Sequence, residues 1–239
     1  MAGKRDDAAN KRQQATGAHA KSAPKPRGEP SLSLERIVST AVDLLDTEGI
    51  EGLKMRQLAN RLGSGAMSLY WHVGNKEEVF DLALDAVLEY RPPQDTAVPG
   101  DWREELVHLL EDWRACMLRH PWSASLLPRR ALGPNMLARL ELLSRSLSGA
   151  GVAETDLNVS IWSCWNYVIG ATVTRASFEL SHEDMAAAQQ RLAELGERYP
   201  TIGRTGLLMD SDWDGAFRKG LDFLIDGLSS KQTPAMTEG

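Results

Sequence analysis

Apolar residues recur at three- and four-residue spacing in successive blocks, and no stretch alternates with the period of two of a half-buried strand. The first block predicts a helix over about 33–48. Ser33 is a good N-cap, Ile37, Ala41, Leu44 and Leu45 share one face, and Gly49 stops the run. Ile50 and Leu53 lead into a shorter block at 56–62, where Leu58, Ala59 and Leu62 form the apolar side. Gly63 breaks that helix, and Ser64 or Gly65 can start the next, which carries Met67, Ser68, Leu69, Tyr70, Trp71 and His72. Val73-Gly74 ends it. Asn75, with Glu78 three residues on, then caps a helix running to about Tyr90 through Val79, Phe80, Leu82, Ala83, Ala86 and Val87. Two short helices around a glycine turn form the helix-turn-helix pattern, whose second helix suits the DNA major groove.

Pro92-Pro93 closes this region, and 92–100 reads as a linker. Asp101 with Glu104 caps a fifth helix, striped by Trp102, Leu106, Leu109, Leu110, Trp113 and Met117 until His120-Pro121-Trp122 stops it. A short helical segment is expected over 123–131, then a helix over 134–148 with Met136, Leu140, Leu143 and Leu147 on one face. The longest pattern covers about 155–180. Leu157, Ile161, Trp165, Val168, Ile169 and Thr172 mark one side and Trp162 and Tyr167 widen it, so this helix is buried on several sides. Ser181 with Asp184 caps a polar helix over 183–197; 198–210 reads as irregular. Ser211 with Asp214 caps a last helix striped by Trp213, Phe217, Gly220, Leu221, Leu224 and Leu228, and 230–239 reads as a tail. The expectation is an all-α protein of about nine to ten helices. Its parts are a tail (1–30), a three-helix helix-turn-helix head (31–91), a larger helical domain (100–229) and a C-terminal tail (230–239).

Composition is ordinary for a globular protein, 42% hydrophobic and 25% charged, and no apolar run reaches the roughly 18 residues that a membrane span needs. The polar N-terminus carries no signal-peptide core, and two cysteines suit a reducing compartment; a cytoplasmic location is expected. A net charge of −6 looks unfavourable for DNA. Its distribution changes that picture. Residues 1–30 carry a net of +4, from seven Lys/Arg against Asp6, Asp7 and Glu29. The tail is read either as a plain solubilising segment or as a basic arm that follows DNA phosphates.

The stretch from Leu58-Ala59 and Leu62-Gly63 through Leu69-Tyr70-Trp71-His72-Val73 to Asn75-Lys76 resembles the DNA-binding unit of the tetracycline-repressor (TetR) family. Trp113-x-x-Cys116-x-Leu118-Arg119-His120-Pro121-Trp122, then Leu132-Gly133-Pro134-Asn135, then Gly220 to Leu228, resembles that family's C-terminal domain. The resemblance spans about 32–229. It implies a homodimeric, ligand-responsive transcriptional regulator of the repressor kind, which binds a palindromic double-stranded operator and is released by a small-molecule effector.

DNA binding needs phosphate neutralisation and base-edge contacts, which are separate tasks. Base readout is expected from the exposed start of the reading helix: Ser64, Ala66, Met67 and Ser68. Ser68 can hydrogen-bond, and Ala66 and Met67 can pack on a thymine methyl. Lys76, beside the free N–H groups of its helix, suits a phosphate, and so does Lys54. The resemblance adds Arg56 as a guanine-reading arginine, and Tyr70 and His72 as a phosphate-binding pair. Tyr70 can equally be a packing ring and His72 a helix cap. Trp71 either touches the DNA backbone or braces the helix.

The resemblance places an effector in the C-terminal half, where Trp113, Cys116, Met117, Leu126, Met136, Trp162, Trp165 and Ile169 could line an apolar cavity for a hydrophobic or aromatic molecule. It also implies a four-helix dimer bundle from the longest and last helices, with Ile161, Val168, Thr172, Phe217, Leu221, Leu224 and Leu228 as interface candidates. The core reading competes at each of these positions. Where tetracycline repressors carry a magnesium-binding histidine, this chain has Leu126 or a neighbour, so neither metal nor cofactor is expected. An enzyme would need a phosphate loop, nucleophile elbow or His-Glu metal pair, and none is legible. A protein-interaction module without DNA binding is opposed by Arg56, Lys76 and Tyr70-Trp71-His72.

Overall fold

The computed structural model describes residues 32–92, 101–130, 132–178, 181–205 and 212–229. Both tails and most of the linker expected at 92–100 lie outside them. Among the described residues there are eleven α-helices, one 3-10 turn and no strand.

The head consists of α1 (Leu34–Gly52), α2 (Met55–Arg61), α3 (Ala66–Tyr70) and α4 (Lys76–Val87). Ser33 Oγ accepts from Arg36 N at the start of α1, the cap its sequence predicts. The helix breaks at Gly49, whose φ of 71° falls in the left-handed region that L side chains resist. Ile37, Ala41, Leu44 and Leu45 bury against Leu53, Leu58, Leu62, Leu69 and Val79, so one small core fixes the angle between α1, α2 and α3. Glu48 of α1 binds Arg61 at 2.9 Å and Gln57 Nε2, holding α2 from its polar side as well.

The body follows with α5 (Trp102–Arg119), α6 (Pro121–Leu126), a 3-10 turn (Leu127–Arg129), α7 (Pro134–Gly149), α8 (Glu154–Ala176), α9 (His182–Glu194), α10 (Pro200–Thr205) and α11 (Trp213–Ser229). Helix α5 packs on α7, α8, α6 and α11, and its face of Leu106, Leu109, Leu110, Trp113 and Met117 is the centre of the body core. Asp101 caps it by accepting from Arg103 N and Glu104 N. Ser181 and Asp184 form the capping box expected for α9.

Two expectations need correction. The segment 198–210 contains α10. Proline suits the first turn of a helix, and Gly203 N donates to Tyr199 O at 3.0 Å, so one glycine does not prevent a single short helix here. Residues 206–210 lie outside the described ones. Ser211, the expected cap of α11, also lies outside; at the start of α11 Asp212 Oδ1 accepts from Gly215 N at 2.9 Å, while Asp214 pairs with Arg114 at 2.7 Å.

Head and body share one continuous core. Polar ties reinforce the junction, among them those of Asp46, Asp85 and Arg139. Asp46 of α1 lies 2.8 Å from His120 Nδ1 and accepts from Trp122 Nε1 at 2.6 Å. Asp85 of α4 accepts from Asn135 N and Met136 N, at 3.0 and 3.2 Å, and so caps α7 from outside its own chain segment. Arg139 of α7 is fully buried; it donates to Leu88 O at 2.5 Å and Glu89 O at 3.3 Å and pairs with Asp112 at 2.7 Å. The last turn of α4 is thereby anchored in the body, and its first turn belongs to the head, where Arg130 of the body also reaches Glu77.

Candidate nucleic-acid interface and effector cavity

The turn between α2 and α3 is built by Gly63, at φ 65°. Gly63 N donates to Asn60 O and Ser64 N to Ala59 O, which closes the end of α2 and redirects the chain. Leu69 alone of α3 is buried, and it pins the helix to the head core. The remaining α3 side chains point outward. Met67 is 75% exposed and Trp71, just past the helix, 85%. Large apolar side chains left so open on so short an element have no packing role in the protomer. Trp71 therefore does not brace the helix. Ala66, Ser68, Tyr70 and His72 are exposed as well. Ser64 differs: it is half-buried and its Oγ is sealed without a hydrogen-bond partner among the described residues.

Lys54 and Arg56 are exposed at the start of α2, whose N-terminus has no side-chain cap. Lys54, Arg56 and Met67 thus stand on the two short helices of the turn. Lys76 opens α4, where Asn75 Oδ1 accepts from Glu78 N at 2.8 Å. Its Nζ lies 5.1 Å from the centre of the Phe80 ring, which leaves the ammonium at the edge of the head.

In the body, a cavity of about 450 Å³ opens beside α8. Leu127, Pro128, Leu132, Leu140 and Ile161 supply apolar wall, Trp162 and Trp165 supply aromatic wall, and Asn158 and Arg130 are its polar members. The volume suits a drug-sized molecule. The tryptophans meet edge to face, Trp162 to Trp165 at 5.5 Å and Trp165 to Trp113 at 5.3 Å. Trp162 is 53% exposed, so one wall faces the outside.

Of the eight residues put forward from sequence for the effector, Trp162 and Trp165 reach this wall. Trp113, Met117, Met136 and Leu126 are buried in the core, and Ile169 is half-buried. Cys116 donates to Val87 O at 2.6 Å and so belongs to the anchoring of α4. Burial raises the Cys116 thiol above its usual range and pushes Cys164 up to about 12, which keeps both protonated. Asn158 and Arg130 were missed: one is a single polar residue within α8 and the other follows the 3-10 turn, and neither carries a periodic signal. Among the described residues no cluster of His, Cys, Asp or Glu could hold a metal ion.

The interface candidates divide similarly. Val168, Thr172, Phe217 and Leu221 are buried inside one protomer, where Tyr167 stacks on Phe217 and donates to its carbonyl at 2.7 Å; Ile161, Leu224 and Leu228 are half-buried. Besides Trp162 at the cavity, the large outward apolar residues on α8 and α11 are Val159, Val173 and Phe223, the last 67% exposed.

A three-helix core presenting an unpacked recognition helix, joined through α4 to a helical body with a cavity, defines a helix-turn-helix DNA-binding protein. Comparison with known proteins agrees. Residues 37–83 match the model of bacterial regulatory proteins of the tetR family, and residues 93–232 that of the tetracyclin repressor-like C-terminal domain. An HTH-type transcriptional regulator of Saccharopolyspora erythraea is 39% identical over 210 residues, spanning 85% of this chain and 87% of the relative. The HTH-type transcriptional repressor DrrR1 of Streptomyces coeruleorubidus is 38% identical over 216 residues, spanning 84% and 78%. Among solved structures, the Streptomyces coelicolor TetR family protein ActR in complex with (S)-DNPA superposes with a TM-score of 0.71 at 30% identity, covering 85% of this chain and all of that one. The chain belongs to the tetR family of bacterial regulatory proteins. It is a ligand-responsive transcriptional regulator of the repressor kind, not an enzyme.

Proposed function

We propose that the chain binds a palindromic operator as a homodimer and is released when a hydrophobic or aromatic small molecule fills the cavity beside α8. The outward display of Met67 and Trp71 carries the DNA half of this reading, since those side chains have no packing role within the protomer. Base edges fall to Ala66, Met67 and Ser68, with Arg56 beside them; Lys54, Tyr70, Trp71, His72 and Lys76 meet phosphate and sugar. Ser64 contributes through its backbone, because its hydroxyl is turned inward.

One recognition helix spans too few base pairs for useful specificity, so two copies act together and present their α3 helices about 34–36 Å apart. The pairing surface is the outer side of α8 and α11, where Val173 and Phe223 are exposed and Gly170 and Gly227 leave open space for a close helix approach. Helix α4 links the halves, held by Asp85, Cys116 and Arg139 at one end and carrying Lys76 at the other. An effector that binds more tightly to the DNA-incompetent geometry shifts the population away from DNA.

Selection of random duplexes with the full chain, followed by sequencing of the retained pool, tests this reading. Two inverted half-sites about one helical turn apart are expected. A pool with no enrichment over the input would sink the proposal.

A further inference from the structure

Among the described residues, Arg130 is the sole charged one lining the cavity. It sits just after the 3-10 turn and its side chain is only 15% exposed. Its guanidinium does not stay within the cavity wall. It reaches the first turns of α4, where it pairs with the Glu77 carboxylate, lies 3.4 Å from Asp81 Oδ1, and donates to Glu77 O at 3.4 Å. It also lies 4.9 Å from the centre of the Phe80 ring. These bonds use Nη1 and Nη2; none of them uses Nε. One side chain is thus shared between the cavity and the helix that carries Lys76.

The two sides of Arg130 differ in kind. Glu77 is exposed and Asp81 half-exposed, so their pairs with Arg130 sit at the solvent boundary, where such pairs contribute little and exchange with water readily. The cavity side is apolar and aromatic, where a carboxylate meeting the planar guanidinium fork forms the stronger, bidentate kind of pair.

We propose that the cavity selects an aromatic carboxylate, whose ring lies against Trp162 and Trp165 while its anionic group takes Arg130 from Glu77 and Asp81. This rests on the cavity being the effector site, and it adds the effector's charge as a determinant. The exchange frees the first turns of α4 from the body. The anion, beyond the bulk of the ligand, then loosens the tie that positions Lys76 and the α3–α4 corner. A net charge of −6 on the whole chain opposes general uptake of anions, so a preference for an acid needs a local cation.

Equilibrium dialysis of the full chain against 2-naphthoate and its neutral isostere 2-naphthamide tests the proposal. Wild type is expected to bind the acid about tenfold or more tighter than the amide, the worth of one good hydrogen-bonded charge pair. Arg130→Gln should bring the acid down to the level of the amide and leave the amide unchanged, which shows the cavity intact. Asp81→Asn removes a competitor for Arg130 and should tighten the acid but not the amide, a gain that damage to the fold does not produce. Equal binding of acid and amide by wild type, or a preference for the acid that survives Arg130→Gln, overturns the proposal and leaves the effector cavity standing. Binding of neither probe removes the cavity reading and the proposal with it.

Discussion

In the head, Met67 and Trp71 stand in solvent on and beside a five-residue helix; in the body, Trp113 and Met117 are sealed inside an eighteen-residue one. The same residue types do opposite work. The body residues hold the fold and are costly to change. The head residues contribute almost nothing to stability and are free to face DNA. The border between the two regimes runs along α4. Its first turn carries the half-buried Lys76, and its last turn is tied to the body, where Asp85 accepts from Asn135, Val87 O from Cys116 and, just past the helix, Leu88 O from Arg139.

The sharpest way to break this comparison is at that border. Arg139→Ala removes a fully buried guanidinium that satisfies the Leu88 and Glu89 carbonyls just past α4 and pairs with Asp112. It should cost about 3 kcal/mol of stability, read as a lowered urea midpoint, since buried polar partners are left unpaired. A change within error would mean that the end of α4 is not anchored as described. Arg56→Ala asks the reverse question in the head. Unfolding should be unaltered, while operator binding loses about 1–3 kcal/mol at one base pair of each half-site. A uniform loss over all sequences would make Arg56 a phosphate residue instead.

Gly63→Ala is intermediate. A Cβ there meets nothing within 4 Å, so any cost comes from the left-handed backbone alone, about 1–2 kcal/mol, measurable by thermal unfolding. The smallest expected effect lies in the body. The Cys164 thiol is raised by burial from 9.0 to about 12, so the unfolded chain loses its proton first as pH rises. Stability from this group is fully present below pH 9 and falls between there and about 12. Urea midpoints at about pH 8 and about pH 10 should therefore fall further apart in wild type than in Cys164→Ala. Equal differences in the two proteins would place the thiol in a more polar setting than its burial indicates.

The sequence exposed the head far better than the body, for physical reasons. A short helix, a glycine turn and an asparagine cap are local features, and Gly63, Leu69 and Asn75 each act within a few residues of where they stand. Helical periodicity likewise located α5 and α8, but it cannot say which of several neighbours a buried stripe faces. Trp113 and Trp165 sit on equally apolar stripes, and only the packing of α5 against α8 decides that Trp165 lines a cavity and Trp113 does not. Val168 and Phe217 were expected at a surface between protomers, yet are buried within one protomer. Arg130, Asp85 and Asp46 act across 49 to 76 residues of chain, distances at which no periodic pattern carries information.

That the exposed face of α2 and α3 reads the operator is most directly tested with Met67→Arg, a change at a 75% exposed site that leaves the fold undisturbed. Random duplexes selected in parallel by wild type and by this variant should share the same half-site spacing and differ only at the base pairs that face α3. The same consensus from both proteins would contradict the account.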